Sequence, residues 1–352
     1  MKILYFGPIA EKGKPAVGGF EAANRKNIDT LLEHGHEVIE FPYPVINSKY
    51  KPFSKLAYLK TFIQVFSLKK YKDDKDVILH VTPFLSFLFL PTLFLLKNAN
   101  RYKIRTVLDI RAGNFMSLYH SKGRVWKSIV KRIFDFSTGV CVEGKAYKPF
   151  IETTFGKPEN KVYYFPNLSP AIFDYDKTYD YNHVKICYFG RITETKGINV
   201  MMEMMKSMSP IYHLYLIGSL DGIITEEYLK TDNVTYLGKM APSQLKETLK
   251  DMNFFIFPST HSGEGQSNSL IEAMCAGLIP IASDNGFSKD VLGNCGKIIT
   301  DRVNPNEYKE AIEYFVDNNQ MEVESRRCMK HIHDCHNLNN EIKKVVNFYN
   351  TL

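Results

Sequence analysis

The chain has 352 residues, 44% of them hydrophobic and 24% charged, with a formal net charge of +7. Single cores stop growing near ~250–300 residues, so this length argues against one domain, and the composition is that of an ordinary soluble globular protein. Its six cysteines include no Cys-x-x-Cys spacing, which indicates neither a zinc site nor a disulfide frame and suits a reducing cytoplasm.

Taken in order, the chain opens on "KILYF" (2–6), a buried strand whose apolar run is too brief for a signal peptide. "FEAANRKNIDTLLEHG" (20–35) comes next as a helix, with Ala23, Ile28, Leu31 and Leu32 at helical spacing and Gly35 closing it. "HEVIEF" (36–41) is a weaker strand candidate. "YKPFSKLAYLKTFIQVFSLKKYK" (50–72) reads as a basic amphipathic helix with Leu56, Leu59, Ile63 and Phe66 on one face. "DVILHV" (76–81) and "IRTVLDI" (104–110) read as buried parallel strands, and "GVCVEG" (139–144) as a further, weaker one. Between them "VTPFLSFLFLPTLFLL" (81–96) is shorter than the ~20 residues that cross a bilayer and reads as a strand end plus a buried or membrane-touching helix.

A polar, proline-containing stretch at 165–183 interrupts this alternation, and the same grammar then restarts. Strands are expected at 184–190, 212–218, 233–238, 254–259 and 279–283, with helices between them and two or three more over about 306–350. Alternation of strand and helix implies parallel sheets covered on both faces. The expected architecture is therefore α/β, two doubly wound Rossmann-like domains facing a cleft. Their bounds are expected at 1–168 and 184–335, with a linker at 169–183 and a C-terminal helix, 336–352, returning to the first domain.

In such sheets, ligands bind beyond the carboxyl ends of the strands, so chemistry is sought just after each strand. "FGRITETKG" (189–197) places Arg191 and Lys196 in a turn after the strand that ends at Gly190, ahead of a helix. Two cations beside a helix N-terminus suit a diphosphate; the plainer alternative is a solvated turn. "HSGEGQSNSLIEAMCAG" (261–277) comes after the strand "FFIFPS", with Glu264 in a small-residue loop and Glu272 inside a helix. Ser269, three residues before Glu272, fits a capping box. A helix beginning near Ser267 to Ser269 would offer first-turn amides to an anion, and Glu272 would accept hydrogen bonds from ribose hydroxyls; the plainer alternatives are a helix-capping acid at Glu272 and a solvated loop acid at Glu264.

Glu264, seven intervening residues and Glu272-Ala-Met, then "IPIASDNG" (279–286), resembles the retaining nucleotide-sugar glycosyltransferases of family 4, which have the GT-B fold. "FGRITETKG" resembles that family's Gly-Arg…Lys-Gly segment, "YYFPNLS" (163–169) its Pro-Asn element, and "AVGGFE" (16–21) its glycine loop. The resemblance implies that Arg191 and Lys196 hold the donor pyrophosphate, that Glu272 binds ribose and that Glu264 contacts sugar hydroxyls. It implies phosphate contacts at Asn268 and Ser269, main-chain approach at Gly18 and Gly19, and a nucleobase bordered by Gly238, Lys239 and Met240. Gln266 and Ser267 stand where the family commonly has an aromatic and a glycine. "VLDIRAGNF" (107–115) offers Asp109 and Arg111 where many relatives carry a histidine; acceptor binding and a purely structural ion pair are both open there. The implied route is front-face displacement without an enzymic nucleophile, in contrast to a retaining hydrolase with its two flanking carboxylates. No metal and no cofactor beyond the substrate nucleoside-diphosphate sugar is expected. The triplets Asp74-Lys75-Asp76 and Asp174-Tyr175-Asp176 read as solvent-facing.

Charge is unevenly shared. Residues 1–170 carry 27 Lys and Arg against 14 Asp and Glu, whereas 171–352 carry 18 against 24. The segment 97–132 alone holds ten basic residues and one acid, Asp109. A basic first half is expected to meet an anionic membrane peripherally, with a polyprenyl-diphosphate-linked glycan as acceptor; no nucleic-acid-reading module is recognised. A nucleotide-sugar epimerase or hydrolase of the same fold, and a non-catalytic nucleotide-sugar binding protein, are the alternatives.

Overall fold

Runs of apolar, largely β-branched and aromatic residues flanked by glycine or proline form the strands, and in both halves of the chain these strands pair in parallel. The computed structural model describes residues 1–13, 19–43, 67–85, 89–169, 177–221 and 223–352. It divides into two units, Met1–Pro166 with Leu338–Leu352, and Asn167–Asn337.

In the first unit β1 (Lys2–Gly7) leads into α1 (Gly19–Glu33) and β2 (Glu37–Pro42), and β3 (Val77–Val81) into α2 (Phe89–Arg101) and β4 (Arg105–Ile110). Two helices, α3 (Phe115–Ser121) and α4 (Arg124–Phe136), precede β5 (Gly139–Val142); α5 (Tyr147–Phe155) precedes β6 (Val162–Tyr164). The sheet order is β2-β1-β3-β4-β5-β6. Every strand from β1 to β5 anticipated from apolar runs forms, within a residue or two at each end. The three-residue β6 was not anticipated, because so short a segment has no period to read. The run 81–96 resolves into the end of β3 and the start of α2, whose Leu95, Leu96 and Ala99 are buried. Most of the expected basic helix at 50–72 lies outside the described residues; Ser67–Tyr71 is a 3₁₀ turn.

The second unit runs β7 (Val184–Phe189), α6 (Ile198–Ser207), β8 (Tyr212–Ile217), β9 (Val234–Gly238), α7 (Pro242–Lys250) and β10 (Phe254–Phe257). It continues with α8 (Asn268–Cys275), β11 (Ile279–Ser283), α9 (Ser288–Leu292), β12 (Lys297–Ile299), α10 (Pro305–Asp317) and α11 (Met321–Cys335). The last helix, α12 (Leu338–Asn350), belongs to the first unit, where Ile342, Val345 and Tyr349 are buried. The sheet order is β12-β11-β10-β7-β8-β9. Strand order therefore reverses between β7 and β10, and the crevice outside their carboxyl ends is where a doubly wound sheet takes its ligand. Of the expected linker, 177–183 fall in this second unit and 170–176, with Asp174 and Asp176, lie outside the described residues. Asp74 and Asp76 are exposed, in a turn closed by the Asp76 amide on Asp74 Oδ1.

Candidate active site

Two loops meet at the reversal point of the second sheet. The first leaves β7 at Gly190 and turns through a 3₁₀ segment, Glu194–Lys196, capped by Thr193, whose Oγ1 accepts from the Lys196 amide at 3.2 Å. Gly197 then opens α6 with φ +81°. A Cβ there would collide with the carbonyl oxygen of Pro258, so only glycine lets the two loops approach this closely. The second loop leaves β10 and is bound to the first, with the Thr260 amide donating to Thr195 O at 2.8 Å.

Glu264 is the centre of this junction. Its Oε2 accepts from Lys196 Nζ at 2.5 Å and from Ser259 Oγ at 2.7 Å. The Lys196 and Glu264 side chains are only 15% and 10% exposed, so their attraction is little screened. The Lys196 ammonium also lies 5.5 Å from the Phe257 ring centroid, an apolar floor that limits its hydration. A third loop braces the second: Asn285 Nδ2 donates to His261 O at 3.0 Å, and Gly286 packs on the Glu264 backbone where a Cβ would not fit. Glu264 is thus fixed in main chain and side chain alike.

Arg191 is different. It is exposed, and its side chain has no ion-pair partner among the described residues. Its carbonyl, by contrast, is held by the Tyr188 hydroxyl at 2.8 Å. The anchored backbone and exposed guanidinium make it a cation available to an incoming anion.

The α8 start differs from the capping box expected at Ser269. Ser267 is the N-cap, with extended backbone (φ −75°, ψ 120°), and its Oγ accepts from the Leu270 amide at 3.4 Å. Ser269 Oγ lies 2.8 Å from Ser267 Oγ. The shift by two residues puts Asn268 and Ser269 in the first turn, whose amides point out of the start of the helix, and Glu272 in the second. Gly190 directly follows β7, and its amide donates to Ile217 O at 3.0 Å; Gly218 in turn donates to Gly238 O at 2.8 Å. Lys239 and Met240 therefore extend the same carboxyl edge beyond β9. Lys239 is exposed, while Met240 is half-buried against the core and accepts from Thr248 Oγ1 at 3.5 Å.

Gln266, read only as a departure from the family pattern, makes a reciprocal pair. Its Oε1 accepts from the Asn167 amide and its carbonyl from Asn167 Nδ2, both at 2.8 Å. Buried His336 reaches Asn167 O with Nδ1 at 2.8 Å, and Ser169 donates to His336 O at 3.0 Å. The segments by which the chain enters and leaves the second unit are thereby tied to the Glu264 loop. Asn167 is the asparagine of the Pro-Asn element read in "YYFPNLS", without a partner assigned to it; Ser259 and His336 escaped sequence reasoning, and of these Ser259 alone had a signal, as the strand-end residue of "FFIFPS".

The remaining expected residues lie in the first unit. Gly19 is the exposed first residue of α1, and Gly18 is outside the described residues. Asp109 and Arg111, candidates for acceptor contact, are 0% and 3% exposed. Arg111 Nε donates to Asp109 Oδ2 at 2.8 Å, His80 Nε2 donates to the same oxygen at 3.1 Å, and Tyr349 donates from its hydroxyl to His80 Nδ1 at 2.6 Å. Burial pushes the Asp109 carboxyl up, but Arg111 and His80 outweigh it and hold the pKa below its usual value. Of the two readings open in the sequence, this geometry has the form of the structural ion pair: the Asp109 carboxylate is turned inward, and the chain of bonds seats α12 in the first unit.

Residues 177–331 match the family model described as glycosyl transferases group 1, across most of the second unit. An uncharacterised glycosyltransferase of Methanocaldococcus jannaschii is 25% identical over 292 residues, 77% of this chain and 73% of the relative. Among solved structures, Anabaena HepE in complex with UDP aligns over 100% of both chains at 15% identity, with a TM-score of 0.70. Sucrose-phosphate synthase from Thermosynechococcus elongatus aligns over 100% of this chain and 99% of its own, at 15% identity and a TM-score of 0.74. The lipopolysaccharide outer core galactosyltransferase WaaB aligns over 100% of both chains, at 16% identity and a TM-score of 0.71. These likenesses establish the fold as GT-B, with two Rossmann-like units.

Proposed function

We propose that this chain, a group 1 glycosyltransferase by its second unit, moves a sugar from a nucleoside diphosphate to a hydroxyl of a glycan acceptor, with retention of anomeric configuration, as family 4 enzymes do. The observation that carries the reading is the junction at the β7–β10 reversal. There Lys196 is paired with Glu264, Arg191 has no ion-pair partner among the described residues, and the first turn of α8 opens alongside. The donor diphosphate takes its place among Arg191, Lys196 and the amides of Asn268 and Ser269. Glu272 accepts from ribose hydroxyls, the turn Gly238–Met240 borders the base, and Glu264 accepts from hydroxyls of the transferred sugar. The complex of the Anabaena relative with UDP-glucose supports a nucleoside-diphosphate sugar as donor.

In the reaction, the bond from the anomeric carbon to the phosphate oxygen breaks as the bond to the acceptor oxygen forms on the same face. The acceptor's proton passes to the departing diphosphate. Charge growing on the leaving oxygen is met by Arg191, Lys196 and the α8 dipole, fixed before the reaction begins; each such donor is worth on the order of 10²–10³ in rate. With two cations in this role, the reading requires no divalent ion for transfer. Lys196 serves two partners: its pairing with Glu264 keeps the ammonium aimed at the site while its remaining N–H groups meet phosphate.

The acceptor is proposed to be lipid-linked and met at an anionic membrane, in surface polysaccharide or glycoconjugate synthesis. In the first unit Leu90 and Phe94, one turn apart on α2, are 52% and 44% exposed, and Val125 at the start of α4 is 77% exposed. Lys97, Arg101, Arg124, Lys127 and Lys131 belong to the same two helices. Exposed apolar side chains among cations suit a headgroup interface. The lipopolysaccharide core substrate in the name of the galactosyltransferase relative points the same way. No helix among the described residues is long and apolar enough to cross a membrane.

The test is to screen nucleotide sugars for thermal stabilisation, then assay transfer to short glycan and lipid-linked acceptors and read the product's anomeric configuration by NMR. Donor stabilisation with retained configuration is expected. Donor turnover without any acceptor would instead indicate an epimerase or hydrolase, and binding without turnover a non-catalytic binding protein.

A further inference from the structure

The six cysteines have no paired spacing, yet the fold brings two of them together with an acid. On α11, Glu324 and Cys328 are four residues apart and share one face. Cys295 faces them from the turn between α9 and β12. The carboxylate oxygen and the two sulfurs all lie within 4.8 Å of one another, and this is the only such group of potential ligands among the described residues. All three residues are buried: Cys295 is 4% exposed, Glu324 6% and Cys328 0%.

We propose that Cys295, Glu324 and Cys328 bind a thiophilic divalent cation of the zinc class, away from the donor site and independently of the reaction proposed for it. Around a tetrahedral zinc ion with Zn–S near ~2.3 Å and Zn–O near ~2.1 Å, ligand atoms stand about 3.5–3.8 Å apart, a contraction of about 1 Å from the present limit. The surroundings are those of a built site. The Gly296 amide donates to Glu324 Oε1 at 2.6 Å, and Arg327 Nη1 lies 3.2 Å from Glu324 Oε2, while Arg327 Nη2 is bonded to Asn294 O. These contacts orient the carboxylate as outer-shell partners orient metal ligands, leaving each oxygen a further lone pair.

Charge balance favours the cation. Two thiolates and a carboxylate carry three negative charges; a divalent ion and the Arg327 guanidinium carry three positive ones, so the group as a whole becomes neutral. Binding forms two metal–sulfur bonds and one metal–oxygen bond and releases the two thiol protons. A cavity of about 550 Å³ reaches Gly296, Glu324 and Arg327, beside the carboxylate of the group. The bound ion would tie α11 to the turn that leads into the edge strand β12.

The test uses the reduced, full-length protein under argon, titrated with Co²⁺ alone and then with Zn²⁺. One equivalent of Co²⁺ is expected, with a thiolate-to-cobalt charge-transfer band that Zn²⁺ abolishes. Zn²⁺ should also raise the Tm of the wild type and not that of Cys295→Ser. The Cys295→Ser/Cys328→Ser protein should lose the band and the equivalent of metal. Should Cys328→Ser not fold, Cys295→Ser, in the turn, carries the test. A reduced wild type without the band, or a band that survives in Cys295→Ser, would overturn the proposal. So would a pair of thiols that forms a 295–328 disulfide in mass spectra and takes up no metal when reduced.

Discussion

Lys196 Nζ and Glu264 Oε2 stand 2.5 Å apart although their loops leave strands on either side of the sheet's reversal point, 68 residues apart in sequence. A largely buried pair of this kind is costly to break from one side, because the remaining charge keeps its desolvation penalty and loses its partner. Lys196→Ala and Glu264→Gln are therefore expected to be coupled. A double-mutant cycle on urea unfolding should give a coupling energy of about 1–3 kcal/mol. Lys196→Ala should in addition weaken donor binding. Glu264→Gln should bind donor diphosphate nearly as the wild type does and lose transfer by roughly 10²-fold.

Arg191 predicts the opposite balance. Its side chain is exposed and without an ion-pair partner among the described residues, so Arg191→Ala should change unfolding free energy by less than ~0.5 kcal/mol. Calorimetric titration with a nucleoside diphosphate should show binding weakened by about 1.5–3 kcal/mol, the range for a hydrogen bond to a charged group. Equal losses of stability and affinity would place Arg191 in the framework instead.

The Asn167–Gln266 pair makes a third prediction. Replacing Gln266 with Ala removes the acceptor for a buried amide, at a cost of about 1–3 kcal/mol. Amide exchange at Asn167 should accelerate with it, since that proton's protection depends on the Gln266 side chain. The loop carrying Glu264 should loosen together with it, raising KM for donor and lowering kcat.

Asp109 predicts an acid dependence. Its folded-state pKa lies below the unfolded value of about 3.8, so the folded state binds fewer protons than the unfolded chain in that range. The stability it contributes is fully present above that pH and is lost as pH falls through the folded value. Trp126, the only tryptophan, reports on the first unit. Its fluorescence in urea should show the wild type losing more stability between pH 6 and pH 3 than Asp109→Asn loses. Asp109→Asn should be the less stable protein at pH 6, since it removes a buried carboxylate that both Arg111 and His80 bond.

Much of this was legible in the sequence, and the gaps have physical causes. Arg191, Lys196 and Glu264 could be singled out because they stand in the loops that follow two apolar runs, where doubly wound sheets hold their ligands, and Glu272 because it lies in the helix that follows the second loop. The runs could not show that β7 and β10 are neighbours; strand order is decided by tertiary packing. The N-cap was misplaced because "SNSLIE" offers two serines, and backbone conformation at Ser267 chooses between them. Gln266 looked like a departure because its partner, Asn167, is 99 residues away. Cys295 and Cys328 looked unrelated for the same reason: spacing rules detect sites within one local segment, and this pair is assembled by a turn and a helix.

The central claim is that a donor's two phosphates lie among Arg191, Lys196 and the first turn of α8. A crystal structure of the chain with a bound nucleoside diphosphate tests it most directly. The account predicts phosphate oxygens within about 2.7–3.1 Å of the Arg191 guanidinium, of Lys196 Nζ and of an amide at Asn268 or Ser269. A diphosphate bound with none of these three in contact would contradict it.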